Sequence, residues 1–122
     1  MKKQFFLFAL VFIALGMPLT ACKKDKTDVV DFDPDCAETI SYQSDIQQTI
    51  QQSCNTTGCH NAGASSAGYS FETHEQVAAN AEIILRVIRH EPGVVAMPIG
   101  QKLSDEYIEA FFCWMEQGKL NN

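Results

Sequence analysis

Seven consecutive residues, Cys54-Asn55-Thr56-Thr57-Gly58-Cys59-His60, hold two of the five cysteines of the chain and one of its three histidines. A haem held through two thioethers needs two thiols on one turn, facing the two vinyl groups of the porphyrin. It also needs a histidine directly after the second thiol, so that the imidazole comes under the iron. The usual spacing is C-x-x-C-H; here four residues separate the cysteines. A fold built on this stretch must deliver Cys54 at the end of one element and let Asn55 to Gly58 bulge before His60.

The start of the chain sets the chemistry available to those thiols. Lys2 and Lys3 precede a mostly apolar run from Phe5 to Leu19, then Thr20, Ala21 and Cys22. This is the order of a charged n-region, an apolar h-region and a small-residue cleavage site, and the run is short for a membrane span. Leu19-Thr20-Ala21-Cys22 has the form of a bacterial lipobox, with Cys22 acylated as the mature N-terminus; the alternative is an ordinary signal peptide with a cysteine nearby. Residues 1–21 are therefore expected to be a lipoprotein signal peptide. The mature protein is expected to be exported and held by lipid at a bacterial membrane, on the periplasmic side or at the cell surface, without spanning it. Thiols oxidise outside the cytoplasm, so the four cysteines beyond Cys22 are read as bridges or covalent attachment points.

Without the leader, seven basic residues face fifteen acidic ones, a formal charge of −8. Nucleic acid is excluded as a partner, since phosphate binding needs clustered Lys and Arg. A basic or neutral protein partner suits such a surface, and acidity also keeps an exported protein soluble.

Residues 22–35 mix lysines and aspartates with little apolar content and read as a lipidated flexible tether. Order is expected from Cys36, which leaves 36–122 as one small domain whose core gains from covalent help. The first predicted helix runs from Ser44 to about Cys54, with Ser44 and Gln47 as a capping box and Ile46 and Ile50 one turn apart, Tyr42 lying just upstream. Asn55 to Gly58 are poor helix formers. Asn61 to Ser70 is loop. Thr73 and Gln76 form a second capping box, opening a helix to about Ile88 whose apolar face is Val77, Ala81, Ile84, Leu85 and Ile88. Glu91-Pro92-Gly93 ends it, and Val94 to Lys102 is loop. The last helix starts at the N-cap Ser104, with Leu103 and Ile108 as a hydrophobic staple and Asp105 and Glu106 at the positive end of its dipole. Ile108, Phe111, Phe112 and Met115 recur along it at helical spacing, and Gly118 is its C-cap. No segment alternates as a strand does. The expected fold is all-α, three to four helices.

If a haem is bound, Cys54 and Cys59 carry its thioethers and His60 is the proximal ligand. Met97 is the candidate sixth ligand: its thioether binds iron, and His/Met ligation raises the reduction potential. The following Pro98 restricts the backbone of Met97 towards extended conformations, though a methionine is also ordinary core filler. Met115 is expected in the core. His74 reads as an exposed helix-start residue, and His90 as a helix-end cation and reserve sixth ligand. Arg86 and Arg89 read as a solvated helix face, with pairing to haem propionates the less favoured alternative. Should the terminal helices pack together, a Cys36–Cys113 bridge would close most of the domain; two buried free cysteines are the alternative.

His60 after Cys59, the Met97-Pro98 loop before a Leu103-Ser104 helix start, and the ending Trp114-Met115-Glu116-Gln117-Gly118 together resemble a class I c-type cytochrome domain. More narrowly, with Tyr42-Gln43-Ser44-Asp45-Ile46 at its opening, the stretch Ser41 to Asn121 is similar to the single-haem domains of exported bacterial lipoproteins. The resemblance implies helices around one haem c, with the first and last crossing near it. It further implies Cys54 and Cys59 as attachment points, His60 and Met97 as axial ligands of the iron, and electron transfer to a redox partner protein. No small-molecule substrate and no enzymatic activity are implied. Two other readings remain open: a haem-free surface lipoprotein acting as a binding module, stapled by a Cys54–Cys59 disulfide, and a metal site on Cys54, Cys59 and His60 that needs a fourth ligand.

Overall fold

The first helical run begins two residues before Ser44. In the computed structural model, which describes Phe32 and residues 34–122, a π-type turn Tyr42–Ile46, an α-type turn Gln47–Thr49 and a second π-type turn Ile50–Cys54 follow one another without a break, and are together called α1. Ser41, not Ser44, caps it. The Ser41 hydroxyl accepts from the Ser44 N–H at 3.4 Å, and Asp45 Oδ2 accepts in return from the Ser41 N–H at 2.7 Å. Helix starts leave N–H groups without partners, and Asn122 supplies two of the missing acceptors. Its side-chain oxygen takes the Tyr42 N–H at 2.9 Å and its carbonyl the Gln43 N–H at 3.0 Å. A Ser44-Gln47 box was the wrong register because Ser41, three residues upstream, makes both bonds with Asp45 as its partner, and the earlier start buries Tyr42.

The Thr73–Gln76 capping box forms as expected, with both reciprocal bonds made. It opens α2 (His74–Ala79), but the helix does not continue unbroken to Ile88. Asn80 leaves helical geometry at φ −109°, ψ 11°, and its side-chain amide donates to the Gln76 carbonyl at 2.8 Å. An asparagine side chain competing for backbone partners breaks a helix in this way. α3 (Ala81–Ile88) restarts directly, so the apolar face survives the break: Val77, Ala81, Ile84, Leu85 and Ile88 are all buried. α3 stops at His90, which takes a left-handed φ of 57° two residues before Pro92.

Ser104 caps α4 (Asp105–Glu116), accepting from the Tyr107 N–H at 3.3 Å. Leu103 and Ile108 on either side of the cap are both buried. At the other end Gly118, at φ +94°, lets the Lys119 N–H return to the Trp114 carbonyl at 2.9 Å, a left-handed cap that needs glycine. The buried face of α4 is Ile108, Phe111, Cys113 and Trp114, while Phe112 and Met115 are half-buried. Trp114 thus takes the central place expected of Met115. It has no solvent exposure, stacks near Phe111 at 5.4 Å and Tyr42 at 5.5 Å, and donates its indole N–H to the Leu120 carbonyl at 2.8 Å.

α4 packs on the start of α1 and on α3, placing Trp114 and Phe111 among Ile46, Ile50, Val77 and Ile88 in one core. Cys36 and Cys113 are joined by a disulfide across 77 positions. Gln117 fixes the same incoming segment, accepting from the Ile40 N–H at 2.9 Å and donating to the Glu38 carbonyl at 2.7 Å. No strand occurs among the described residues, so the domain is all-α. The described residues from Pro34 to Asn122 belong to one compact unit. The expected signal peptide, the lipidated Cys22 and most of the tether lie outside the described residues.

Candidate functional site

The end of α1, the loop after it, the cavity face of α3 and the loop 94–99 enclose a cavity of about 610 Å³. That is within the range of ligand sites. Cys54, Cys59, His60 and Met97 all line it. The remaining wall is chiefly apolar: Ile83, Ile84, Val87 and Ile88 from α3, Val94, Val95, Pro98 and Ile99 from the loop, and Tyr69 and Phe71 beneath His60. No Asp, Glu, Lys or Arg lines it.

The widened cysteine interval closes on itself. The Cys59 N–H returns to the Thr56 carbonyl at 3.0 Å, with Gly58 at φ +83°, a region that favours glycine. The His60 N–H then reaches back to the Cys54 carbonyl at 3.0 Å. The small-residue loop that follows braces this turn from outside. Ser66 donates its N–H to the Cys59 carbonyl and its hydroxyl to the Gly58 carbonyl, both at 3.1 Å. Phe71 N–H donates to the His60 carbonyl at 2.9 Å.

The His60 ring is held from two sides. Nδ1 lies 3.4 Å from the Tyr69 carbonyl. A carbonyl can only accept, so this contact assigns the proton to Nδ1 and leaves the Nε2 lone pair free to bind a metal. The ring also packs at 4.8 Å from Phe71. Met97 is positioned by its own backbone, whose N–H donates to the Val87 carbonyl at the end of α3 at 3.0 Å; its peptide to Pro98 is cis.

Cys54 and Cys59 are separate free thiols, the first buried and the second exposed. Burial, followed by the neighbouring Cys59, pushes the Cys54 thiol up to about 11. Beside it, Tyr107 is raised well above the usual phenol range, by burial first and then by Cys54 and Tyr42. Both groups are therefore neutral at ordinary pH. Among the described residues no three or more His, Cys, Asp and Glu side chains are placed to hold one metal ion. The two thiols and the imidazole nonetheless line the same cavity. By its chemistry, a set of two thiols, an imidazole and a thioether in a chiefly apolar cavity fits a haem attached through thioethers.

His90 does not line the cavity and is exposed, so it is not placed as a sixth ligand. Arg86 and Arg89 are likewise outside it, each 3.3 Å from a carboxylate oxygen of Glu91. His74 is not the exposed residue expected. Its Nε2 lies 2.8 Å from the Lys119 carbonyl and its ring sits edge-on to Tyr42 and Trp114, tying the start of α2 to the chain after α4. Tyr69 and Phe71 were missed in the sequence. Their signal was two aromatic residues ending a loop otherwise made of small residues, directly beyond the motif. No family model, no curated protein and no solved structure matches the chain. Among the described residues no helix is long and apolar enough to cross a membrane.

Proposed function

We propose that the protein is an electron carrier holding one c-type haem in this cavity, of the class I cytochrome kind, and that it is exported and lipid-anchored through Cys22. One observation carries the haem reading: Met97 and the Cys54–His60 stretch, far apart in sequence, line the same apolar cavity. The haem supplies the one-electron chemistry, its iron cycling between ferrous and ferric states. The chain supplies everything else. Cys54 and Cys59 would hold the haem through thioethers, each thiol supplying the sulfur and its proton to one vinyl group with no net gain or loss of electrons. His60 and Met97 would supply the ligands of the iron, the His60 ring held by the Tyr69 carbonyl and Met97 by the bond from its backbone N–H to the Val87 carbonyl. If His60 and Met97 both bound the iron, no position would be left for a substrate, and this supports electron transfer over catalysis. The apolar walls exclude water and lower the cost of moving charge. The binding-module reading keeps the same cavity but needs a Cys54–Cys59 staple, and these two thiols are unbridged.

The test is an absorption spectrum of protein produced in a host able to attach haem, followed by acid-acetone extraction and intact mass. A Soret band that stays with the protein, and a mass raised by one haem, is the expected result. No Soret band, or haem that leaves in the organic phase, refutes covalent attachment.

A further inference from the structure

Of the three donor residues in the motif, Cys59 alone is exposed; Cys54 is buried at the end of α1 and His60 is half-buried. The direction of the Cys59 side chain is therefore set by the backbone on either side of it. Both flanking peptide planes are held at both ends. In the plane between Gly58 and Cys59, the Cys59 N–H donates to the Thr56 carbonyl at 3.0 Å, and the Gly58 carbonyl accepts from the Ser66 hydroxyl at 3.1 Å. In the plane between Cys59 and His60, the His60 N–H donates to the Cys54 carbonyl at 3.0 Å, and the Cys59 carbonyl accepts from the Ser66 N–H at 3.1 Å. The two N–H bonds lie within the motif. Both carbonyl bonds come from one residue outside it.

The loop that carries Ser66 is pinned along its length. The Ala62 N–H donates to Glu72 Oε1 at 2.9 Å, the Ser65 N–H to the Asn61 carbonyl at 2.8 Å, and the Phe71 N–H to the His60 carbonyl at 2.9 Å. On either side of Ser66, Ser65 and Ala67 take left-handed φ values of 42° and 53°, a region that residues other than glycine enter at a cost. Such strain persists where surrounding contacts impose it and gathers at functional positions; here the residue between the two strained ones makes both contacts to Cys59. We propose that Ser66 is a positioning residue for Cys59, aiming the second thiol of the widened interval so that attachment is completed at both cysteines. This rests on the haem reading above. Cys59 supplies its sulfur and its proton to one vinyl group with no net gain or loss of electrons, and Ser66 acts only through the backbone. The need for it comes from the two additional residues of the interval, which give Cys59 a turn of its own instead of a place fixed by Cys54.

The test uses the full chain produced in a host able to attach haem, denatured and alkylated with iodoacetamide. Peptide mass identifies which cysteine was left free, and the pyridine haemochrome band reads how many vinyl groups remain. The wild type is expected to be chiefly doubly attached. Ser66→Ala keeps the N–H bond and loses the hydroxyl bond. It is expected to raise the ratio of singly to doubly attached haem about two- to tenfold, the range for one hydrogen bond, with Cys59 and not Cys54 alkylated. Ser66→Thr retains a hydroxyl and is expected to restore attachment. In a chain lacking Thr56 and Thr57, whose motif is C-x-x-C-H, Ser66→Ala is expected to have no effect. Gln117→Ala loses bonds outside the cavity wall; it controls for lost stability and is expected to leave attachment complete. Unchanged attachment in Ser66→Ala, or Cys54 and Cys59 alkylated to the same extent, overturns the proposal. So does an equal loss in Gln117→Ala or in the shortened chain, or a Ser66→Thr variant no better than Ser66→Ala. Failure of the haem reading is distinct: the wild type then shows no Soret band and both thiols are alkylated.

Discussion

Cutting the Cys36–Cys113 bridge isolates how much of the fold depends on tying the segment before α1 to the last helix. The bond closes 77 positions. In the chain-entropy account a loop of that size removes roughly 15 cal/mol/K from the unfolded ensemble, about 4.5 kcal/mol at 25 °C. Cys36→Ser is the cleaner variant, because Cys36 is half-buried whereas Cys113 is buried and a serine there would bury a hydroxyl. With a denaturant slope of about 1–2 kcal/mol/M for a domain this small, the urea midpoint should fall by roughly 2–4 M. Equilibrium unfolding followed by circular dichroism reads it. Gln117 gives the internal control, since it grips the same segment at Ile40 and Glu38. In the bridged protein Gln117→Ala should cost about 1–3 kcal/mol by leaving the Ile40 N–H without its acceptor. In the Cys36→Ser background the segment can fray, so the same change should cost measurably less. A Cys36→Ser loss under about 1 kcal/mol, set against the value expected for this loop length, would refute the loop-closure reasoning. An undiminished Gln117→Ala cost would refute the shared anchoring.

Trp114→Ala should destabilise by about 3–5 kcal/mol, because the indole is fully buried and its N–H bond to the Leu120 carbonyl is lost with it; denaturant unfolding with a loss under about 1 kcal/mol, well below that range, would remove Trp114 from the core. In haem-free protein the Cys54 thiol is raised to about 11 from its ordinary value of 9.0. The folded state then holds a proton that the unfolded state has released, so stability is intact below pH 9 and falls as pH rises from 9 towards 11. The total is about 2–3 kcal/mol, and it should vanish in Cys54→Ala when urea midpoints are followed against pH. Met97→Ala should lower the reduction potential of the holoprotein and alter its ligand-field bands while haem stays attached; an unchanged potential and unchanged bands would reject methionine ligation.

Much of this architecture could be read from the residues, and the failures have a common cause. The caps at Thr73 and Ser104, the left-handed stop at Gly118 and the buried stripe from Val77 to Ile88 are local devices, and each forms where the pattern placed it. The Cys36–Cys113 pairing was also legible, because these are the thiols left beside the motif and the packing of the terminal helices would bring them together. What escaped depended on contacts between distant segments. The start of α1 is moved to Tyr42 by Asn122, which no local window contains. His74 is half-buried by Tyr42, Trp114 and the Lys119 carbonyl. Trp114 displaces Met115 because the buried face of α4 is set by what α1 and α3 present to it. Within the candidate site, the thiols, His60 and Met97 were visible as residue types. The aromatic floor of Tyr69 and Phe71 was not, because it is created by a loop folding back on His60.

That same backward fold bears on the feature that made the motif unusual, its two additional residues. A longer interval would ordinarily separate the thiols and displace the histidine. Three observations show that the backbone of this interval closes on itself instead of extending. α1 ends in a π-type turn, closed by the Asn55 N–H on the Ile50 carbonyl at 2.9 Å, and such wide turns re-aim the side chains at a helix end. The additional residues then form their own turn, Thr56 to Cys59, instead of extending the chain. Finally the His60 N–H returns to the Cys54 carbonyl, so the segment ends beside its starting point. The distance that matters to a bound group is the one between chain ends, and here hydrogen bonds set it, not residue count. Ser66, Gly58 and Phe71 are then part of the motif as much as the cysteines are: two brace the turn and the third lets its backbone enter the left-handed region. Spacing alone is therefore a poor ground for rejecting a haem-attachment sequence when the residues around it can close the interval.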